Sequence, residues 1–102
     1  MKPPYYAVIF NSKKKEYSEG YEETAERMVE LTREQPGFLG ITSARNPDGS
    51  GITVCYWENM EALKAWKKNV EHKEAQKMGK ASWYESYSLR IAKVEEEYHM
   101  EM

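Results

Sequence analysis

Three side chains in residues 56–76, YWENMEALKAWKKNVEHKEAQ, could bind a flat ligand and move a proton. Trp57 and Trp66 are nine residues apart, and His72 follows Trp66 by six. A tryptophan can stack on an aromatic ring, and histidine is the side chain whose ordinary pKa lies nearest neutrality. The same segment places Leu63, Trp66 and Val70 at helical spacing, which is typical of an amphipathic helix with a buried stripe. We therefore expect a helix that covers the core first and contributes Trp66 to a pocket second.

Two further polar residues interrupt apolar strand patterns. Asn11 follows the apolar run 5–10, and an amide in that place commonly ends a strand or begins a turn. Arg90 lies in the strand-like segment 83–94, on the alternating set that also holds Tyr84 and several small residues. Because arginine is rarely buried without a partner, Arg90 either pairs with a glutamate or faces a ligand anion. The sequence leaves both alternatives open.

Hydrophobic periodicity predicts six elements in the order β-α-β-β-α-β. Strands are expected over 5–10, 38–45, 52–57 and 83–94, with helices from about Ser18 to Pro36 and from Asn59 onward. Residues 46–51, NPDGSG, are turn-forming and make a hairpin of the two middle strands. Residues 73–80 are predicted as a short helix and a loop. The order is that of a ferredoxin-like α+β domain over residues 1–102, with a core over about 4–94, a charged tail over 95–102, and both helices on one face of an antiparallel sheet.

The predicted sheet has more apolar surface than two helices can cover. The first strand is apolar on both of its alternating sets, and the third strand is apolar on both as well. One apolar face of the sheet is therefore expected to remain uncovered, and its simplest cover is the same face of a second copy. We expect a homodimer that forms through this sheet face.

Composition and charge exclude several classes of protein. The formal net charge is −2, so no basic excess exists that could displace counterions from nucleic acid. The single cysteine, Cys55, can form neither an internal disulfide nor a site of several thiolates. No apolar stretch approaches the roughly 18 residues of a membrane span, and the N-terminus lacks the pattern of a signal peptide. We expect no nucleic-acid or membrane partner, no metal site, and a cytoplasmic location.

With these residues in view, the chain resembles the antibiotic biosynthesis monooxygenase family. The resemblance covers nearly the whole chain. It rests on the strand end at Asn11, the segment QPGFLG at 35–40, the strand end YWEN at 56–59, the helix from Met60, and the terminal strand. It implies a dimeric α+β barrel. The family includes cofactor-free oxygenases of phenols and quinols as well as haem-degrading enzymes, so two kinds of chemistry follow from the resemblance.

The haem-degrading branch of the family is described by an asparagine on the first strand, a tryptophan on the second helix, and an axial histidine ten residues later. Asn11 and Trp66 match the first two, but Gln76 occupies the axial position. An amide is a poor ligand for haem iron. His72 lies about 240° further round a helix than Trp66, since a turn takes 3.6 residues. The resemblance therefore disfavours haem as a cofactor.

The cofactor-free branch implies a pocket that binds a phenol or quinol and stabilises its anion. In that branch Asn11 would donate a hydrogen bond to the oxyanion, Trp66 would stack on the ring, and Arg90 would supply positive charge. Tyr84, His72 and Gln76 would contact the substrate, and a tyrosine or His72 would accept its proton. These residues are expected to border one cavity between sheet and helices. The preferred hypothesis is a small monooxygenase that uses neither metal nor flavin, and the alternatives are a haem protein or a dimer that binds a small hydrophobic ligand without a reaction.

Overall fold

The computed structural model describes residues 1–16, 19–78 and 83–101, and for 71–78 the backbone only. Its elements confirm the predicted order β-α-β-β-α-β. The strands are β1 (Tyr5–Lys14), β2 (Phe38–Arg45), β3 (Ser50–Trp57) and β4 (Tyr84–Val94), and the helices are α1 (Tyr21–Arg33) and α2 (Met60–Met78). The sheet order is β2-β3-β1-β4, with every neighbouring pair antiparallel. The fold is the expected ferredoxin-like α+β arrangement.

Several boundaries differ from the prediction. Strand β1 does not end at Asn11 but continues to Lys14, because both of its neighbours keep pairing there, with Ser12 opposite Gly51 of β3 and Tyr87 of β4. Helix α1 follows Gly20, which has a φ of 80°; its predicted start, Ser18, lies outside the described residues. Helix α2 is continuous through residue 78, so residues 73–78 extend it instead of forming a separate short helix.

The core lies between α2 and the helix-facing side of β1 and β3. Trp57, Leu63 and Val8 are almost fully buried, and Cys55 belongs to the same cluster. The Trp57 ring packs against those of Trp66 and Phe38, with ring centroids 5.1 and 5.8 Å apart. Burial raises the pKa of the Cys55 thiol, so Cys55 behaves as a small apolar core residue, as the sequence predicts.

Cross-strand register assigns each strand residue to one of two faces, because partners in a ladder point to the same side. The helix-covered face carries Val8, Phe10 and Ser12 of β1, opposite Cys55, Thr53 and Gly51 of β3 and Ile91, Leu89 and Tyr87 of β4. The other face, which we call the open face, carries Ile9 and Asn11 of β1, opposite Val54 and Ile52 of β3 and Arg90 and Ser88 of β4.

The tail beyond β4 returns to the sheet instead of extending freely. The Tyr5 hydroxyl donates a hydrogen bond of 2.7 Å to the Glu97 carboxylate, and the Tyr5 side chain is only 4% exposed. This hydrogen bond is the main reason that the pKa of Tyr5 is raised to about 12 and that the pKa of Glu97 is lowered. Residue 97 is thereby tied to the first residue of β1.

The turn between α1 and β2 packs directly against α2 at Gly37. The φ of Gly37 is 83°, and a Cβ at this position would lie 2.5 Å from the Cβ of Ala62. The Glu58 amide also donates a 2.8 Å hydrogen bond to the Gly37 carbonyl oxygen. Gly37 therefore fixes how closely α2 approaches this turn.

We predict that Gly37→Ala destabilises the fold more than Gly20→Ala does. Both positions have a φ near +80°, so each substitution costs about 1–2 kcal/mol for a left-handed backbone. Nothing lies within 4 Å of a Cβ at Gly20, whereas the crowding against Ala62 adds about 1–3 kcal/mol at Gly37. Urea denaturation of the two variants measures the difference. Equal losses of unfolding free energy would show that the contact with Ala62 is unimportant.

Candidate functional site

A cavity of about 290 Å³ lies between the two helices and the helix-covered face of the sheet. Small-molecule sites in proteins span roughly 300–1,000 Å³, so this cavity suits a ligand of a few rings at most. Its walls are predominantly apolar and aromatic. The lining side chains include Val8, Phe10, Tyr21, Ala25, Met28, Thr32, Arg45, Trp66, Trp83, Tyr84 and Leu89.

The residues of the sheet below the cavity form rows across the strands, and the cavity is lined by Arg45 at one end and by Ile41, Cys55 and Val8 at the other. Arg45, Gly51 and Ser12 form one row across β2, β3 and β1. The row formed by Ile41, Cys55 and Val8 lies four residues further along each strand, a distance of about 13 Å at 3.3 Å per residue. The first row combines the charged Arg45 with two small residues, and the other row is apolar. The cavity thus has a polar end and an apolar end.

Trp66 stands at the apolar end, where it belongs both to the cavity wall and to the core. Its indole N–H donates a 2.9 Å hydrogen bond to the Thr32 hydroxyl of α1, which in turn donates to the Met28 carbonyl oxygen. Thr32 is 3% exposed. This chain of hydrogen bonds joins the two helices and holds the orientation of the indole ring, so Trp66 presents a fixed aromatic surface.

Arg45 stands at the polar end, on the edge strand β2, and its guanidinium reaches across the sheet. Its Nη2 atom donates hydrogen bonds to the Ser12 hydroxyl, at 2.9 Å, and to the Tyr21 hydroxyl, at 3.0 Å. Its Nη1 atom donates to the Gly49 carbonyl oxygen. The path crosses Gly51, where a Cβ would lie 2.9 Å from the Arg45 Cζ atom. The glycine therefore makes room for the guanidinium to lie flat on β3.

Aromatic rings close the side of the cavity between β4 and α1. Tyr84 contacts the rings of Phe10 and Tyr21 edge to face, with centroids 5.5 and 5.8 Å apart. Trp83 packs on Tyr21 at 6.0 Å, and its indole N–H donates to the Glu19 carbonyl oxygen. Tyr84 reaches this side because the pairing of β1 with β4 shifts register between Lys13 and Lys14. Strict alternation predicts instead that it lies on the same side as Arg90.

Asn11 and Arg90 do not line this cavity. Both lie on the open face, where Asn11 pairs with Ser88 and Arg90 pairs with Ile9. Both are exposed, and the Arg90 guanidinium donates to the Ser88 hydroxyl at 2.9 Å. The expectation that they share one cavity with Trp66 is wrong, because the residues of β1 that face the helices are Val8, Phe10 and Ser12, and Asn11 belongs to the alternate set.

His72 and Gln76 lie on α2, and their side chains fall outside the described residues. The described side chains that line the cavity include no imidazole. The Cys55 thiol is buried and accepts a hydrogen bond from the Trp57 indole at 3.2 Å. No group of three or more histidine, cysteine or acidic residues suited to a metal occurs in the described part of the chain. The described lining therefore does not fit a haem with a histidine or cysteine axial ligand.

The sequence alone does not mark four of the lining residues as members of a site: Phe10, Tyr21, Arg45 and Trp83. Each occupies an ordinary place in a strand or helix pattern, and only the register brings them to one cavity.

No helix in the described residues has the length and apolar character needed to cross a bilayer.

We predict that Thr32→Val lowers the unfolding free energy by about 1 kcal/mol, because it leaves the partly buried Trp66 indole N–H without its acceptor. Trp66→Phe in the Thr32→Val background should cost less than Trp66→Phe alone, since both partners of the hydrogen bond are then absent. Urea denaturation of the four proteins in this double-mutant cycle measures the coupling. Strictly additive losses would contradict a hydrogen bond between these two residues in solution.

One family model and one curated relative match most of the chain. The family model for antibiotic biosynthesis monooxygenases matches residues 4–78, the span from β1 through α2. The YqjZ protein of Bacillus subtilis (strain 168) is 57% identical over 93 residues, which cover 91% of this chain and 82% of that protein.

Solved structures agree in fold at low sequence identity. A mutant of SnoaB, a cofactor-independent oxygenase from Streptomyces nogalater, is 14% identical with a TM-score of 0.73, covering 93% of this chain and 97% of that one. A conserved protein from Methanosarcina mazei Go1 is 12% identical with a TM-score of 0.71, covering 87% and 91%. At these identities the structures show the fold alone. The match of the family model over residues 4–78 establishes that the chain belongs to the antibiotic biosynthesis monooxygenase family.

Proposed function

We propose that the protein is a small monooxygenase that oxidises a phenol or quinol in the cavity between sheet and helices, without metal or flavin. The observation that carries the proposal is the cavity of about 290 Å³, walled by aromatic side chains. Membership of the monooxygenase family supports it, and so does the resemblance in fold to SnoaB, a cofactor-independent oxygenase.

The chemistry needs only the substrate and dioxygen. A quinol that loses a proton becomes an electron-rich anion that can pass an electron to dioxygen, and the resulting radicals combine into a ring-bound peroxide. Loss of water then leaves one oxygen atom on the ring. For 1,4-naphthohydroquinone the balance is one quinol and one O₂ to one 2-hydroxy-1,4-naphthoquinone and one H₂O. The substrate supplies all the electrons, so no external reductant is required.

The side chains of the cavity would hold the ring and exclude water from it. Trp66 and Phe10 offer flat surfaces at the apolar end and on the floor, and Tyr84 closes one side. A water-poor site strengthens electrostatic interactions with the substrate anion and protects reactive intermediates from side reactions. The proton leaves at the polar end, where the exposed Arg45 marks the opening to solvent.

We predict that Ala25→Phe, which fills the cavity from α1, abolishes protein-dependent oxygen uptake with 1,4-naphthohydroquinone. Ala25 lines the cavity, whereas Ala65 on α2 is exposed and does not. Ala65→Phe is therefore the matched control and should keep the wild-type rate. An oxygen electrode measures uptake, with the spontaneous oxidation of the quinol subtracted and a chelator present.

The outcome separates an enzyme from a binding protein. Equal rates in Ala25→Phe and Ala65→Phe would locate any reaction outside this cavity. Absence of protein-dependent uptake across a panel of phenols and quinols, together with calorimetric binding of a ring compound that Ala25→Phe removes, would favour the alternative of a dimer that binds a small ligand without a reaction.

We also propose a homodimer formed through the open face. Ile52 on this face is 40% exposed in the single chain, and Ile9, Val54 and Tyr56 lie on the same side. A contiguous apolar sheet surface of this kind is costly to leave in water. Asn11 and Arg90 lie among these residues, and in such a dimer they would face the partner. Their proposed role thereby moves from the substrate anion to the contact between copies.

We predict that Ile52→Glu converts the dimer into a monomer, because it places a charge on the apolar open face. Ile91 is 42% exposed but belongs to the helix-covered face, so Ile91→Glu is the matched control and should leave the molar mass unchanged. Light scattering coupled to size-exclusion chromatography gives the mass of each variant. A wild-type monomer, or a dimer that survives Ile52→Glu, would overturn the assignment.

A further inference from the structure

The polar end of the cavity carries a positive charge that no acidic residue in the described ranges neutralises. Within those residues, no carboxylate forms an ion pair with Arg45. Its three hydrogen-bond acceptors are a carbonyl oxygen and two hydroxyls, all of them neutral. Asp48, in the adjoining turn, is instead bound to Ser50 and lies 3.7 Å from the Lys13 ammonium. The guanidinium is thus fixed in place while its charge remains available.

The groups around Arg45 are arranged as donors. Ser12 and Tyr21 accept hydrogen bonds from the guanidinium through their oxygen atoms, and each hydroxyl keeps its own O–H to donate. Arg45 and Tyr21 both line the cavity. Charged and neutral donors therefore converge at the point where the aromatic walls end.

Two neighbouring residues allow Arg45 to stay at the polar end of the cavity. Gly51 leaves the surface of β3 open, and any larger residue would push the guanidinium away, because a Cβ would lie 2.9 Å from its Cζ atom. Ser12 on β1 then holds the far end. The hydrogen bonds to Ser12, Tyr21 and Gly49 use both hydrogens of Nη2 and one hydrogen of Nη1, so Nε–H and one Nη1–H remain, on different edges of the guanidinium. Arg45 can therefore offer an anion its fixed charge and one charge-assisted hydrogen bond, beside the Tyr21 O–H.

We infer that Arg45, with Tyr21, binds an oxyanion carried by the aromatic ligand, so that the cavity selects ring compounds bearing a carboxylate or an ionised phenol. The ring lies toward Trp66, and the anionic oxygen lies toward Arg45. This inference rests on the proposed use of the cavity for an aromatic substrate and specifies which substrates it takes. A phenol bound in this orientation is held as its anion, the form that reacts with dioxygen.

Three probes with one ring system test the inference by calorimetry at neutral pH: 2-naphthoate, the neutral 2-naphthalenemethanol, and 2-naphthol. The protein should bind 2-naphthoate at least tenfold more tightly than the alcohol. Arg45→Gln should weaken 2-naphthoate roughly 10- to 100-fold, the range expected for hydrogen bonds to a charged group, and should leave the alcohol within about twofold. The absorbance of bound 2-naphthol reports its ionisation, and its pKa should fall in the wild type but not in Arg45→Gln.

Two further variants control for indirect effects. Gly51→Ala keeps the arginine but displaces its guanidinium, so it should also reduce the preference for 2-naphthoate. Arg27→Gln removes an exposed charge on α1 that does not line the cavity, and it should bind all three probes as the wild type does. Circular dichroism verifies that each variant is folded.

The outcomes are decisive in either direction. Selectivity for 2-naphthoate alone identifies a carboxylate ligand, and a lowered pKa of 2-naphthol alone identifies a phenolate. Equal binding of acid and alcohol by the wild type together with an unchanged pKa of 2-naphthol, a preference or a pKa shift that survives Arg45→Gln, or no binding of any probe overturns the inference. Because these measurements need no turnover, anion selectivity without oxygen uptake would refute the proposed oxygenase and leave the anion site standing.

Discussion

Strand β1 pairs along both of its edges, and the alternation of its side chains divides the whole sheet into two faces. Val8, Phe10 and Ser12 face the helices, and Ile9 and Asn11 face the opposite way. A slip of one residue would exchange these sets and carry the floor of the cavity to the other side. The pairing is long, from Tyr5 to Lys14, and Trp57 and Leu63 pack only on the side that carries Val8. The register of this central strand therefore determines which residues can belong to a site.

Because the site depends on the register of β1, the sequence predicts the order of the elements better than it predicts the site. The order of elements follows from changes in hydrophobic period, and from the turn residues at Gly37 and at 46–51, all of which are local signals. The roles of Trp57 and Cys55 as buried packing residues follow from their place in an apolar strand. The predicted strand end at Asn11 failed, because pairing with two neighbours carried β1 through Ser12 and two lysines.

The sequence predicts the site less well than the fold, because β1 is apolar on both of its alternating sets of side chains. Its sequence therefore does not say which set faces the helices, and Asn11 and Arg90 were assigned to the wrong side. Tyr84 reached the cavity through a shift of register in the pairing of β1 with β4, which alternation alone does not predict. The sequence does not mark Arg45, at the end of an edge strand, as a site residue. Its position at the cavity depends on Gly51 of the next strand and on Ser12 of the strand beyond. Such a relation across three strands exists only once the sheet has formed.

The sizes of the residues on the helix-covered face account for why a small domain retains a cavity. Around Trp57 the side chain of Leu63 fills the space, and the interior is closed. Further along the sheet the small residues Ser43, Thr53 and Cys55 lie on the cavity floor, and a gap remains between them and the helices. The hydrogen bond from Trp66 to Thr32 then joins α1 to α2 across the top, so the helices do not collapse onto this gap. Small floor residues and a hydrogen bond between the helices thus keep this space open, and Gly51, beneath the Arg45 guanidinium, lets the arginine place its charge at the polar end.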